Sequence, residues 1–319
     1  MGALVLSWSA VAGAQSNASN ILRAVVAMRA EIPEDSRTVR FLGARRTGTA
    51  ILIDRSGLLL TIGYLILEAK RVEIFFDGEV READVVAYDY RTGLGLIRTR
   101  KPIDATPLKL GDASTLTAKA PVLVAAYGGE AALRPAIVLS RRNFAGYWEY
   151  QLDDAIFTIP PYPAFAGAAL LGPNGDLMGV GYLAVPNAGE SENSRAGNMF
   201  VPIDVLKPVL ADMIATGRSQ TQDRPWMGLF SQTQNERVVV WQVIDDGPAD
   251  RAGVRVGDII LGVGERPVRS LFDLYDEVWR LGEPGVTVNL FVYRESEIVQ
   301  IPIESQNRYD WFSRHPSRE

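Results

Sequence analysis

The sequence predicts a mainly β chain, a barrel or sandwich of short strands followed by a smaller domain of mixed strands and helices. Three observations carry this. Strand-length apolar runs recur at short spacing from about Ile21 to Phe200 with few helical periods. A polar linker, Ser-Gln-Thr-Gln-Asp-Arg at residues 219–224, then interrupts the pattern, and beyond it strand and helix signals alternate. The length, 319 residues, accommodates two cores of ordinary size.

Taken in order, the chain starts with MGALVLSWSAVAGAQS, an apolar run whose Ala12-Gly13-Ala14 has the small-x-small form of a signal-peptidase site. The run lacks a basic beginning, since the first positive side chain is Arg23. Residues 1–14 are read as a truncated export signal, with a short packed helix as the alternative, and export to a periplasm-like compartment is expected. No later stretch approaches the roughly 20 apolar residues of a spanning helix, so no integral membrane span is expected. Ala50–Ile53 and Leu58–Thr61 flank Asp54-Arg55-Ser56-Gly57, a hairpin signal, and Val72–Phe76 runs through Asp77-Gly78 into a strand ending near Ala87. Val122–Ala126, Ala136–Leu139 and Leu177–Gly181 are the next candidate strands. Only Val201–Thr216 has helical spacing, through Leu206, Val209, Leu210 and Met213, with Gly217 as its C-cap.

Past the linker, Val238–Val243 is an apolar strand. Gly247–Gly253 is a short helix with Pro near its start and Gly at its end, and Gly257-Asp258 turns into Ile259–Leu261. Ser270 and Asp273 have the spacing of a capping box opening a helix whose Leu271, Leu274, Tyr275 and Val278 share one face. Val286, Val288, Leu290 and Val292 alternate with Thr287, Asn289 and Phe291, as in a strand with one buried side. The last residues, 304–319, read as a polar tail.

Composition narrows the chemistry. Hydrophobic residues at 47% and charged residues at 22% describe a folded chain rather than a disordered one. The net charge of -5 without a long Lys/Arg run argues against nucleic acid as a partner, with Arg45-Arg46 and Arg141-Arg142 as local basic spots at most. The absence of cysteine removes disulfides, thiolate nucleophiles and Cys-based metal sites, and no cofactor or metal is expected. The single histidine, His315, lies in the terminal SRHPSRE, so a serine, histidine and carboxylate relay requires that terminus to fold back into a cleft.

The stretch GPADRAGVRVGDIILGVGERPV, preceded by PWMGL and followed by a capped helix and VTVNLFVYR, resembles the PDZ domain of HtrA/Deg proteases over about Pro225 to Ile303. The upstream region resembles the protease part of that family. RRTGTAILIDRSGLLLTIGYLI stands where the family has GSGF and then TNxHV, VVAYDYRTGLGLIR resembles DxRxDLAVL, and AFAGAALLGPNGDLMGVG resembles GNSGGPL followed by NGxxxGI. The resemblance implies a chymotrypsin-like double β-barrel at 20–218, a linker at 219–224 and a small α+β PDZ domain at 225–303. It also implies that Tyr64, Gly93 and Ala166 occupy the positions of the catalytic histidine, aspartate and serine.

Those replacements leave no relay. Alanine has no nucleophilic lone pair, glycine cannot orient a base, and a phenol of ordinary pKa about 10 is a poor base at neutral pH. Between Gln151, which resembles the start of QTDAAI, and Ala166 there are about five more residues than in the family, including Pro160, Pro161 and Pro163, beside the oxyanion loop. Other polar residues take structural readings: Asp153-Asp154 as a solvated or turn pair, Asp89 and Tyr90 as a surface turn, and Ser140 and Thr158 as ordinary hydrogen-bonding hydroxyls.

The function implied is that of a proteolytically inactive HtrA-like protein whose partners are peptides or protein C-termini, acting in envelope protein quality control. The alternatives are an active serine endopeptidase and an adaptor subunit that joins an active paralogue or a homo-oligomer. In PDZ domains a peptide adds as a strand and its terminal carboxylate is held by consecutive backbone amides. By resemblance Trp226, Met227, Gly228 and Leu229 form that loop, with Leu229, Leu274, Tyr275 and Val278 lining an apolar pocket. Trp226 either borders this groove or seals the domain junction, and the whole set either binds peptide or fills the core.

Overall fold

In the computed structural model residues 19–127, 133–189 and 195–313 are described. The expected signal segment at 1–14 and His315 lie outside them. The chain is mainly β and divides into two compact units, residues 1–142 with 154–220, and residues 143–153 with 221–319.

The first unit holds two closed barrels. The first comprises β1 (Val25–Glu31), β2 (Arg45–Leu52), β3 (Leu58–Ile62), β4 (Arg71–Phe76), β5 (Glu79–Tyr88) and β6 (Leu94–Thr99), and it closes because β1 pairs with both β2 and β4. All of β3 is buried, which explains its unbroken apolar run. Its hairpin from β2 is set by Asp54, whose carboxylate accepts from the N–H of Ser56 at 2.7 Å and of Leu58 at 3.0 Å. Asp77 and Gly78 join β4 to β5 at φ 50° and 76°, the pair of positive values a type I′ turn requires.

The second barrel comprises β7 (Pro121–Ala125), β8 (Leu133–Gly146), β9 (Tyr150–Ile159), β10 (Ala169–Leu171), β11 (Leu177–Val185) and β12 (Gly197–Pro202), closed by β10 pairing with β7. The expected helix over Val201–Thr216 is corrected. Val201 and Pro202 end β12, Ile203–Val205 form one 3-10 turn, and only α1 (Leu210–Thr216) is α-helical. Pro208 has no N–H to donate and its ring crowds the preceding turn, so a turn separates two short pieces in place of one helix, with Leu206 and Val209 of the turn and Met213 of α1 buried. Gly217 is the expected C-cap, left-handed, with its N–H on Met213 O at 3.0 Å.

In the second unit β14 (Leu229–Gln234), β15 (Arg237–Val243), β16 (Ile259–Val263), β18 (Thr287–Arg294) and β19 (Glu297–Glu304) form one sheet in that order, and the two-residue β17 (Arg266–Pro267) pairs with β16. Two helices, α2 (Pro248–Arg251) and α3 (Leu271–Arg280), accompany this sheet. The capping box of α3 is complete, with Asp273 N–H on Ser270 Oγ at 3.1 Å and Ser270 N–H on Asp273 Oδ2 at 3.0 Å. That start fixes the phase of the helix, and Leu271, Leu274, Tyr275 and Val278 are buried in a core shared with the inner faces of β15 and β18.

The expected polar tail at 304–319 is also corrected over residues 304–313, the remainder lying outside the described residues. β13 (Pro225–Trp226) pairs with β20 (Gln306–Asn307), and α4 (Arg308–Ser313) sets Trp311 and Phe312 against Trp226, with ring centroids 5.6 and 5.7 Å away. Both α4 rings are buried, so this segment completes the core rather than trailing from it. Trp311→Ala is expected to cost about 3 kcal/mol by removing a buried indole. A denaturant melt of the full chain with an unchanged midpoint would return the segment to the status of a tail.

Candidate functional site

Two places gather the residues singled out in the sequence. In the first unit Tyr64 lies on a 3-10 turn, Gly63–Leu65, directly after β3, and Gly93 lies directly before β6. These segments are tied by Gly63 N–H to Gly93 O at 2.8 Å. Ala166 joins them through Thr49 N–H, which donates to its carbonyl at 2.9 Å, and Thr49 belongs to the strand that also packs Gly48 against Leu65. A backbone hydrogen bond thus ties the segments of Tyr64 and Gly93, and β2 links Ala166 to them through Thr49 and the packing of Gly48 on Leu65.

Tyr64 donates its phenol to Tyr182 O at 3.2 Å and stacks on the Tyr182 ring at 5.8 Å. Burial pushes its pKa well above the usual phenol range. Gly93 has φ 75°, a left-handed conformation that costs an L side chain about 1–2 kcal/mol. Asp89, expected on a surface turn, is instead fully buried. Its carboxylate accepts from Thr92 N–H at 2.8 Å and from Ser219 Oγ–H at 2.6 Å, and its carbonyl accepts Gly93 N–H at 2.8 Å. It builds the turn that carries Gly93.

The proline-bearing segment before Ala166 is held by buried Asn198, whose Oδ1 accepts Tyr162 N–H at 2.6 Å and whose Nδ2 donates to Tyr162 O at 3.2 Å. Ser140 is a structural hydroxyl, donating to Ala188 O at 2.7 Å, whereas Thr158, expected to hydrogen-bond through its hydroxyl, is buried in β9 with that hydroxyl unpartnered. Asp154 pairs with Arg141.

The anticipated basic spots are structural too. Arg142 stacks 3.8 Å from the Phe157 ring centroid and donates to Asn187 O at 2.9 Å. Arg46 is buried, donating to Tyr64 O at 2.7 Å, Leu67 O at 2.9 Å and Gly43 O at 3.1 Å. Burial pulls its pKa down to about 10, against the opposing pull of Glu68, so it stays charged at neutral pH.

The second place is the loop Trp226–Leu229. Gly228 takes φ 81°, which turns the chain between β13 and β14. Met227 O accepts Ala249 N–H at 2.8 Å and Gly228 O accepts Ile244 N–H at 2.9 Å. With both carbonyls held on that side, three successive N–H groups face the other way and converge on one carboxylate, that of Glu149. Met227 N lies 2.9 Å from Oε2, while Gly228 N and Leu229 N lie 2.7 and 2.9 Å from Oε1. Glu149 is buried; desolvation pushes its pKa up, although the amides and the nearby Arg308 pull the other way.

Of the residues expected to line a groove, Met227, Leu229, Leu274, Tyr275 and Val278 belong to the packed core of this unit. The Trp226 ring turns to Trp311 and Phe312. Tyr275 reaches further, donating its hydroxyl to Gly146 O at 2.6 Å and accepting Glu149 N–H at 3.2 Å. Sequence reasoning missed Glu149 because Tyr-Trp-Glu-Tyr contains no Gly, Asn, Asp or Pro to announce a turn and its partners lie far along the chain.

Residues 48–180 match the trypsin-like peptidase domain family and residues 225–304 the PDZ domain family. Serine endoprotease DegS of Escherichia coli is 24% identical over 293 residues, covering 83% of this chain and 78% of that protein. A probable periplasmic serine endoprotease DegP-like of Pseudomonas fulva is 25% identical over 271 residues, and the chain spans only 54% of its length. Serine protease PepD of Mycobacterium tuberculosis is 26% identical over 269 residues, covering 76% of this chain and 57% of that protein. The fold is shared with the HtrA-type protease AlgW with tripeptide, at TM-score 0.54 and 22% identity over 92% of this chain and 97% of that one. These matches support an HtrA/Deg-type assignment, a trypsin-like peptidase domain followed by a PDZ domain.

Arg46 is the interaction that fixes the Tyr64 turn, and Arg46→Met leaves several buried carbonyls without their donor. A loss of about 3 kcal/mol in chemical denaturation is expected. An unchanged midpoint would mean that water replaces the guanidinium at no cost.

Proposed function

We propose that this chain is a proteolytically inactive HtrA-like protein that binds peptides or protein C-termini through its PDZ domain, in an exported compartment and in envelope protein quality control. The observation that carries the first half is the chemistry at the positions the family resemblance assigns to the triad. Ala166 and Gly93 have no group that attacks, accepts or orients a proton, and the Tyr64 phenol is committed to Tyr182 O. The second half is supported by the Trp226–Leu229 loop, whose three amides are aligned on a carboxylate. Export rests on the small-x-small pattern at Ala12–Ala14 and on the periplasmic description of the Pseudomonas relative. Among the described residues no helix is long and apolar enough to cross a membrane.

Purified protein is expected to leave casein intact and to remain unlabelled by a serine-directed covalent probe. Hydrolysis that copurifies with the chain through successive columns and survives Tyr64→Phe would establish an active endopeptidase instead. The triple variant Tyr64→His, Gly93→Asp, Ala166→Ser is expected to show weak turnover at best, because an aspartate inherits the left-handed backbone of Gly93. Turnover typical of an active protease in that variant would show that only the side chains were missing.

Peptides with an apolar free C-terminus are expected to bind the full chain, and amidation to weaken them by removing the charge the amides receive. Equal affinity for acid and amide would exclude carboxylate capture. The full chain is the right material, since a segment ending at residue 303 loses the α4 rings that cover Trp226.

A further inference from the structure

The carboxylate that fills the Trp226–Leu229 loop comes from a turn with the features of a bound ligand. Tyr147, Trp148 and Glu149 join β8 to β9, and residues 143–153 fold within the same compact unit as 221–319. The turn lies between β14 and α3. On one side Tyr147 O accepts Ser231 N–H from β14 at 3.0 Å, a strand-like contact, and on the other the Tyr275 hydroxyl of α3 bridges Gly146 O and Glu149 N. A peptide that adds as a strand beside β14 and presents its terminal carboxylate to the loop would need the same lane and the same donors.

The backbone at Glu149 points the same way. A three-residue hairpin loop commonly ends in a left-handed residue, for which glycine is best suited. Here that residue is glutamate, at φ 56°. A turn that needed only its geometry would be better served by glycine, so the strain marks a position held for its side chain. Tyr147 meanwhile packs against Phe230 and Trp241, at 5.9 and 5.4 Å, yet stays 46% exposed, so the tip of the turn faces solvent while its hydrogen bonds to the loop and to Tyr275 are buried. Replacing one carboxylate by another leaves all three N–H groups satisfied, and the exchange forfeits none of those hydrogen bonds.

We propose that Glu149 is a tethered competitor for the carboxylate loop, so that a free protein C-terminus binds only by displacing the Gly146–Glu149 turn. The proposal rests on the reading of Trp226–Leu229 as the site that takes a peptide carboxylate. Apparent affinity for such a peptide is then the intrinsic affinity scaled by the fraction of molecules whose turn is released.

The test is fluorescence polarisation on the full chain, with labelled peptides carrying apolar free C-termini and their amidated twins. Glu149→Gly removes the carboxylate and suits the left-handed position, and it is expected to tighten free-acid binding by about tenfold or more, corresponding to a wild-type open fraction of about one in ten or less. Glu149→Gln, which keeps the size and loses the charge, is expected to tighten it less, and the amidated twins should gain little. Wild type and both variants binding free acids equally well would overturn the competitor while leaving carboxylate capture intact. Free acids and amides binding alike, or no binding by any form, would overturn carboxylate capture and the competitor with it.

Hydrogen exchange on the wild-type chain needs no variant to fold. Saturating free-acid peptide is expected to raise exchange at Tyr147–Tyr150 while Met227, Gly228 and Leu229 stay protected, and a turn that remains protected with peptide bound would overturn the proposal.

Discussion

A carboxylate taken out of water is tolerated only where donors replace its hydration, and Glu149 meets that demand with three consecutive backbone amides. Much of the second unit is arranged around this contact. The amides face Glu149 because the loop carbonyls are held by Ala249 and Ile244, and α2 begins beside that anchor at Pro248. Tyr275 sits in the core with its ring and holds the same turn with its hydroxyl. One side chain thereby couples the apolar packing of α3 to the polar loop, an arrangement in which truncating either partner leaves buried groups unsatisfied.

The first unit illustrates how a scaffold separates from its chemistry. Gly63 N–H to Gly93 O and Thr49 N–H to Ala166 O are backbone contacts, indifferent to which side chains stand at 64, 93 and 166. The support beneath them is equally independent of reactivity. Arg46 holds the Tyr64 turn by its carbonyl, and Asp89 holds the Gly93 turn by the N–H of Thr92. Selection for binding alone would preserve such a framework while the reacting groups change, which is why the proposed loss of proteolysis is compatible with an intact double barrel.

The two places also differ in what burial does to ionisable groups. At Arg46 the guanidinium is desolvated but spread over several carbonyl acceptors, and it remains a cation at neutral pH even with its pKa pulled down to about 10. At Glu149 desolvation outweighs the donors and raises the pKa, leaving a carboxyl that is less committed to its charge than a surface glutamate. The first arrangement is a fixed strut. On the proposed reading the second is a contact that a competing carboxylate replaces, because the same amides serve either one.

The sequence by itself determined the features that rest on local rules. Asp77-Gly78 required its turn, Ser270 and Asp273 required the start of α3, and the period of Leu271, Leu274, Tyr275 and Val278 required their common burial. Tyr64, Gly93 and Ala166 were singled out by resemblance alone, and the structure adds the backbone contacts Gly63 N–H to Gly93 O and Thr49 N–H to Ala166 O. Tertiary structure decided whatever depended on a distant partner. Helical spacing across residues 201–216 yielded to Pro208, and Trp311 and Phe312 left a polar-looking tail to cover Trp226. Arg46 and Asp89 read as surface groups until carbonyls and hydroxyls from other segments surrounded them. Glu149 is the extreme case, since its donors lie 78 to 80 residues away and nothing in Tyr-Trp-Glu-Tyr foretells them. Local pattern encodes which face of an element is buried, whereas the identity of the group it meets there is fixed only when the chain closes on itself.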